Sequence, residues 1–255
     1  MTMFTPETRE QLRAALLDFA RSDSRITGAA ITGSAASDAS DRWSDIDLAF
    51  GIAASADVTA TLTDWTAHMY AQCRAVHHTD VRAGAWIYRV FLLADSLQVD
   101  LAFTPADQFR AIGPTFRLVY GKAEPPLEMP NAAPADLIGL GWLYALHARS
   151  AIARDKLWQA EYMVSGIRDH VMALACLRHG LATVHARGVD QLPGDVAAGF
   201  EAALVRNLTH AELSRAFRAA LELLMREAAL ADPALAARLT TPLKLLTVTQ
   251  LEAAM

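Results

Sequence analysis

The chain has 255 residues, 53% of them hydrophobic and 20% charged, with a formal net charge of −5. That apolar content supplies core material and excludes a disordered chain. The acidic balance excludes a general nucleic-acid binder, which needs a basic face for phosphates. Thr5-Pro6-Glu7 reads as an N-cap, a first-turn proline and a first-turn acid, opening an amphipathic helix through Leu12, Leu16, Leu17 and Phe19. Residues 26–32 (ITGAAIT) follow as a buried strand that ends at Gly33. Residues 45–50 form a second strand, and Asp57 caps a helix to about Arg74. Residues 85–93 and 97–103 read as a hairpin around Ala94-Asp95-Ser96. Thr104-Pro105 restarts a short helix, and residues 115–121 are a last strand.

The texture then changes. Residues 121–136 (GKAEPPLEMPNAAPAD) hold four prolines and read as a linker. Helical periodicity follows over about 136–152, 156–178, 196–206, 210–229 and a stretch after Pro233, with a break permitted at Pro242. An α+β chain is expected, with a mixed-sheet domain over residues 1–122 and a helical bundle over 123–255. No apolar run approaches the ~18 residues of a membrane span, and the N-terminal stretch carries acids where a signal peptide needs an apolar core. A soluble, cytoplasmic protein with no membrane partner is the expectation. Cys73 and Cys176 lie far apart in helical runs and read as buried free thiols.

The chemistry concentrates in GAAITGSAASDASDRWSDIDLAF, residues 28–50. On a strand, residues i and i+2 share a face, so Asp45 and Asp47 project together while Ile46 and Leu48 point the other way. Two ionised carboxylates that close repel each other unless they are solvated or hold a divalent cation between their oxygens. Hard oxygen ligands suit Mg²⁺, which completes its shell with water and substrate phosphates. Gly33 lets the backbone approach an anion, and Ser34 adds a hydroxyl and an N–H. Asp100, inside the apolar run LQVDLAF, is costly to bury unless paired or ligating, and it joins the pair if the two strands are neighbours. A lone D-x-D is usually a solvated loop feature; the combination with a Gly-Ser turn and a third strand acid points to a nucleotide site.

In the helical half, Leu157, Ala160, Val164, Ile167, Val171 and Leu174 form one apolar stripe. Trp158, Glu161, Tyr162, Ser165 and Asp169 share another face, with Arg168 at its edge. That face suits either a cleft wall that stacks on a sugar or base, or a helix–helix contact packed by the two aromatics. The histidines, such as His77-His78, His147 and His170, show no metal spacing.

Gly33-Ser34, ten residues, Asp45-x-Asp47 and the distant strand acid Asp100 together resemble the signature of the polymerase-β-type nucleotidyltransferase superfamily. Within it the chain is most similar to the bacterial antibiotic nucleotidyltransferases, which modify aminoglycosides and lincosamides and carry a helical domain after the catalytic one. The resemblance implies two Mg²⁺ ions held by Asp45, Asp47 and Asp100, with a nucleoside triphosphate as co-substrate. Its α-phosphorus, most simply that of ATP, is attacked by a hydroxyl of a small molecule, and AMP is transferred. It implies that Gly33 and Ser34 bind the triphosphate, with Arg42 and Lys156 in reach of phosphate, though Arg42 also reads as an exposed loop arginine. It implies acceptor contacts from Trp158, Glu161 and Tyr162, with either Glu161 or Asp100 as general base. The acidic first half, 11 Lys and Arg against 15 Asp and Glu over residues 1–125, would attract a cationic acceptor. Alternatives are transfer to a protein acceptor, as in toxin–antitoxin systems, or a nucleotide-binding protein that has lost catalysis.

Overall fold

The computed structural model describes residues 3–113, 115–127 and 132–252. The chain divides into two compact units, residues 1–129 and 130–255. Residues 128–131 of the proline-rich linker lie outside the described residues.

The first unit opens with α1 (Pro6–Ser22), whose N-cap Thr5 exchanges capping-box hydrogen bonds with Thr8. Then come β1 (Ile26–Thr32), the single turn α2 (Gly33–Ala36), β2 (Ile46–Ile52), α3 (Val58–Gln72), β3 (Ala75–Ala83), β4 (Trp86–Leu93), β5 (Gln98–Pro105) and β6 (Phe116–Tyr120). The strands form one mixed sheet in the order β3-β4-β5-β2-β1-β6. β2 and β5 pair in parallel and the other neighbours are antiparallel. On one face, Ile46, Leu48 and Phe50 of β2 and Val99, Leu101 and Phe103 of β5 pack with Leu16 and Leu17 of α1 and Leu62, Trp65 and Met69 of α3. Trp65 is fully buried, yet its indole N–H still donates to Asp23 at 3.1 Å, as a buried indole requires.

Two local expectations are corrected, and β3 is an addition: its residues are exposed except Ala75 and half-buried His78 and Asp80, because it is an edge strand paired only with β4, so no apolar stripe betrays it. Thr104-Pro105 does not start a helix; β5 runs through Pro105, and a single 3₁₀ turn (Ala106–Gln108) follows. Cys73, at the C-cap of α3, is half-buried, whereas Cys176 is buried as expected.

The second unit holds α4 (Pro134–Ala153), α5 (Leu157–Arg178), α6 (Gly194–Glu201), α7 (His210–Ala231) and α8 (Pro233–Glu252). Its core joins Val164, Ile167 and Val171 of α5 to Phe217, Leu221 and Leu224 of α7, together with Ile138, Ala145 and Ile152 of α4. Glu227, only 1% exposed, is held by the Arg178 guanidinium at 3.1 Å, which offsets the cost of burying its charge. α6 is shorter than the expected 196–206, and α8 passes through Pro242 without a break. Proline there forgoes one main-chain hydrogen bond, on an exposed turn where the loss is tolerated.

Candidate active site

The parallel pairing of β2 with β5 sets Asp47 opposite Asp100 in register. Asp45 immediately precedes β2, so the alternation brings it to the same side. One oxygen from each of Asp45, Asp47 and Asp100 lies within 4.8 Å of the other two. All three residues are half-buried, at one end of the sheet face opposite α1 and α3.

Gly33 sits directly over this group. Its φ is +62°, in the left-handed region that glycine tolerates. A Cβ built on it would stand 1.9 Å from Oδ2 of Asp47, so only a glycine admits both the turn and the carboxylate. Ser34 follows, half-buried, and its carbonyl accepts from the Ala39 N–H at 3.0 Å, closing the loop after the turn.

Burial pushes the Asp100 carboxyl up to about 6; the Gln98 amide draws it back down, and the Asp45 charge adds to the rise. The Gln98 side-chain NH₂ donates to Asp100 at 3.0 Å and to Asp45 at 3.5 Å. Among the described residues no lysine or arginine forms an ion pair with Asp45 or Asp100. Three carboxylates gathered on a rigid sheet, two of them without a side-chain cation, form an all-oxygen donor set that fits a hard divalent cation such as Mg²⁺.

Two further residues shape the group and went unread in the sequence. Gln98 is one; its place two residues before Asp100 on a strand was a usable signal. Arg9 of α1 is the other. It is 3% exposed, and its guanidinium donates to the main-chain carbonyls of Asp41 and Ser44, the latter at 2.9 Å. Asp41 in turn accepts from the Trp43 N–H at 2.8 Å and the Ser44 hydroxyl at 3.0 Å, which holds its carboxyl below the usual range. The loop that delivers Asp45 is therefore pinned from below by Arg9.

The remaining sequence candidates are described each in its own unit. Arg42 is exposed, with its guanidinium 4.4 Å from the centre of the Trp43 ring. Lys156, the exposed N-cap residue of α5, belongs to the second unit. On α5 the expected apolar stripe is buried, apart from half-buried Leu157. Trp158 is 76% exposed and Tyr162 63%. Glu161 accepts a 2.7 Å hydrogen bond from the Ser165 hydroxyl, and the Tyr162 ring lies 6.5 Å from that of Tyr144.

No protein-family model and no curated protein matches the chain. Among solved structures, an aminoglycoside 6-adenyltransferase from Bacillus subtilis is similar at 12% identity and a TM-score of 0.39, covering 93% of this chain and 97% of that one. Similarity of that degree establishes neither family nor activity. No helix among the described residues is long and apolar enough to cross a membrane.

Proposed function

We propose that the first unit transfers a nucleoside monophosphate, most simply AMP from ATP, to a hydroxyl of a small molecule, with Mg²⁺ held by Asp45, Asp47 and Asp100. The observation that carries this reading is the in-register pairing of β2 with β5, which gathers the three carboxylates against the Gly33-Ser34 turn. Bound there, Mg²⁺ would neutralise phosphate charge and polarise the α-phosphorus.

The chain's own residues divide the remaining work. The Gly33 turn brings backbone close to the triphosphate, and Ser34 supplies a hydroxyl and an N–H to its oxygens. The acceptor oxygen bonds to the α-phosphorus, the bond to the bridging oxygen breaks, and pyrophosphate leaves. The hydroxyl proton is assigned to Asp100, whose carboxyl lies on the same sheet face as the pair. Gln98 holds Asp100 and Asp45 in place, and Arg9 fixes the loop before Asp45, so that the site is arranged before substrate arrives.

Incubation with α-labelled nucleoside triphosphates, Mg²⁺ and a panel of hydroxyl compounds tests the reading. Label should pass to an acceptor with release of pyrophosphate, and a chelator should stop it. Label retained wholly in the triphosphate under every condition would leave a nucleotide-binding protein without catalysis.

A further inference from the structure

The sheet face that carries the carboxylates continues beyond them as a cleft of about 280 Å³. Ala49 and Ala102 are neighbours in register and form its floor. Ala49 stands two residues after Asp47 and Ala102 two after Asp100, so the cleft begins one side-chain row, about 7 Å, from the carboxylates. Trp86 and Tyr88 of β4 make one wall, with rings stacked at 5.9 Å and 24°, and Phe116 of β6 makes the other. Phe109 packs with Ala49, Ala102 and Trp86, and a Cβ on Gly51 would meet its Cγ at 3.1 Å. A second cleft, of about 500 Å³, shares Trp86, Tyr88 and Arg110 and extends the first towards the turn between β3 and β4.

Among the described residues the lining is apolar apart from one guanidinium and a few hydroxyls, and it contains no carboxylate. Arg110 donates through Nη2 to the Asp107 carbonyl at 2.8 Å. Its Nε is buried and has no hydrogen-bond partner among the described residues. Arg110 lines both clefts, and a carboxylate held there would form a charge-assisted hydrogen bond with the accessible side of its guanidinium.

We propose that this cleft binds the acceptor, and that the acceptor is a compact, flat, largely apolar ring compound carrying a carboxylate or carbonyl for Arg110 and a hydroxyl for Asp100. Naming the ligand as acceptor rests on the transfer reaction proposed above; the ligand's chemical class rests on the cleft. A polycationic amino sugar does not fit, because its ammonium groups would be desolvated beside a guanidinium with no carboxylate to pair them. A nucleobase fits poorly, since its several edge donors and acceptors would meet mostly apolar walls. In the step itself the acceptor hydroxyl oxygen bonds to the α-phosphorus, pyrophosphate departs with the bridging oxygen, and the proton goes to Asp100.

Calorimetric titration of the full chain with Mg²⁺ and a non-hydrolysable ATP analogue present decides the matter, using three ring compounds of similar size. These are meta-hydroxymethylbenzoate, meta-isopropylbenzyl alcohol and meta-aminomethylbenzyl alcohol. The anion should bind about tenfold tighter than the neutral alcohol, and the cation weakest, as a charge-assisted hydrogen bond predicts. Arg110→Met should erase the anion's advantage. Ala102→Leu should weaken the anion and the neutral alcohol by about tenfold or more, with thermal unfolding confirming that each variant is folded. Both variants should keep the wild-type affinity for the ATP analogue. The proposal is overturned if the cation binds as well as the anion, if the preference survives Arg110→Met, or if no ring compound binds. It is also overturned if the losses fall on the ATP analogue, which would give the cleft to the base. Binding is read without turnover: a chain that binds the benzoate but transfers no label contradicts the proposed reaction and keeps the cleft's chemistry. A chain that transfers label without binding the benzoate contradicts only the cleft.

Discussion

The two faces of the six-stranded sheet are built from the same strands and could hardly differ more. Along β2, Ile46, Leu48 and Phe50 alternate with Asp47, Ala49 and Gly51; along β5, Val99, Leu101 and Phe103 alternate with Asp100, Ala102 and Thr104. The first set fills the space beneath α1 and α3 with large side chains, Phe50 and Phe103 lying within 5.5 Å of each other or of Trp65. The second set is small or charged and leaves a carboxylate group with a cleft beside it. A period of two lets one strand pair serve stability on one side and chemistry on the other. Substitutions on the two faces should therefore have separable effects.

The largest expected effect lies on the open face. Asp47→Asn should lower nucleotidyl transfer by about 10³-fold, the scale of several kcal/mol of lost charge stabilisation. Its melting temperature should hold or rise, because carboxylate repulsion is relieved. Steady-state kinetics beside thermal unfolding would show it, and a fall in stability with turnover intact would break the contrast. On the packed face the pattern reverses. Phe103→Ala should cost about 3–5 kcal/mol in denaturant unfolding while leaving turnover per folded molecule close to wild type.

Gly33→Ala should cross the divide. The left-handed backbone would cost roughly 1–2 kcal/mol, and the new Cβ would displace Asp47, so stability and turnover fall together. A variant that loses stability alone would detach the turn from the site.

Arg9→Met tests the loop anchor with a smaller effect. Leaving the Asp41 and Ser44 carbonyls without their donor should cost about 1–3 kcal/mol and lower kcat more than it raises KM, with Arg9→Lys recovering part of the loss. Equal stability loss with unchanged kcat would make Arg9 a packing residue only.

The smallest effect is a pH slope in the metal-free chain. Because the folded Asp100 carboxyl titrates near 6, above its ordinary value, the folded state binds more protons than the unfolded state between about pH 4 and 6. Stability from this group is present below that window and is lost as pH rises through it. Asp100→Asn should flatten the slope in melting temperature against pH. An unchanged slope would place its origin elsewhere.

Much of this contrast was legible in the sequence. The alternation of IDLAFG states which face each residue takes, and the acid in LQVDLAF stands out because burial penalises a lone carboxyl. The sequence left the pairing of those two runs as a condition, and the parallel register meets it. The helices of the second unit were readable from their apolar stripes, to within a turn at most ends. What escaped has one physical cause: its signal is not periodic. β3 is an edge strand with almost nothing buried, so its residues look like a loop. Arg9 acts at the end of a long side chain on partners that sequence spacing does not reveal, 32 and 35 residues away. The cleft is an absence of side-chain volume, and alanines in a strand read as filler until the register lines up Ala49 with Ala102.

The central claim, that the open face is a divalent-cation site for nucleotide chemistry, is tested most directly by Mn²⁺ binding followed by electron paramagnetic resonance, with a non-hydrolysable ATP analogue present. The wild-type chain should bind Mn²⁺ saturably, and Asp47→Asn should lose that binding while remaining folded. Equal Mn²⁺ binding by the two proteins would contradict it.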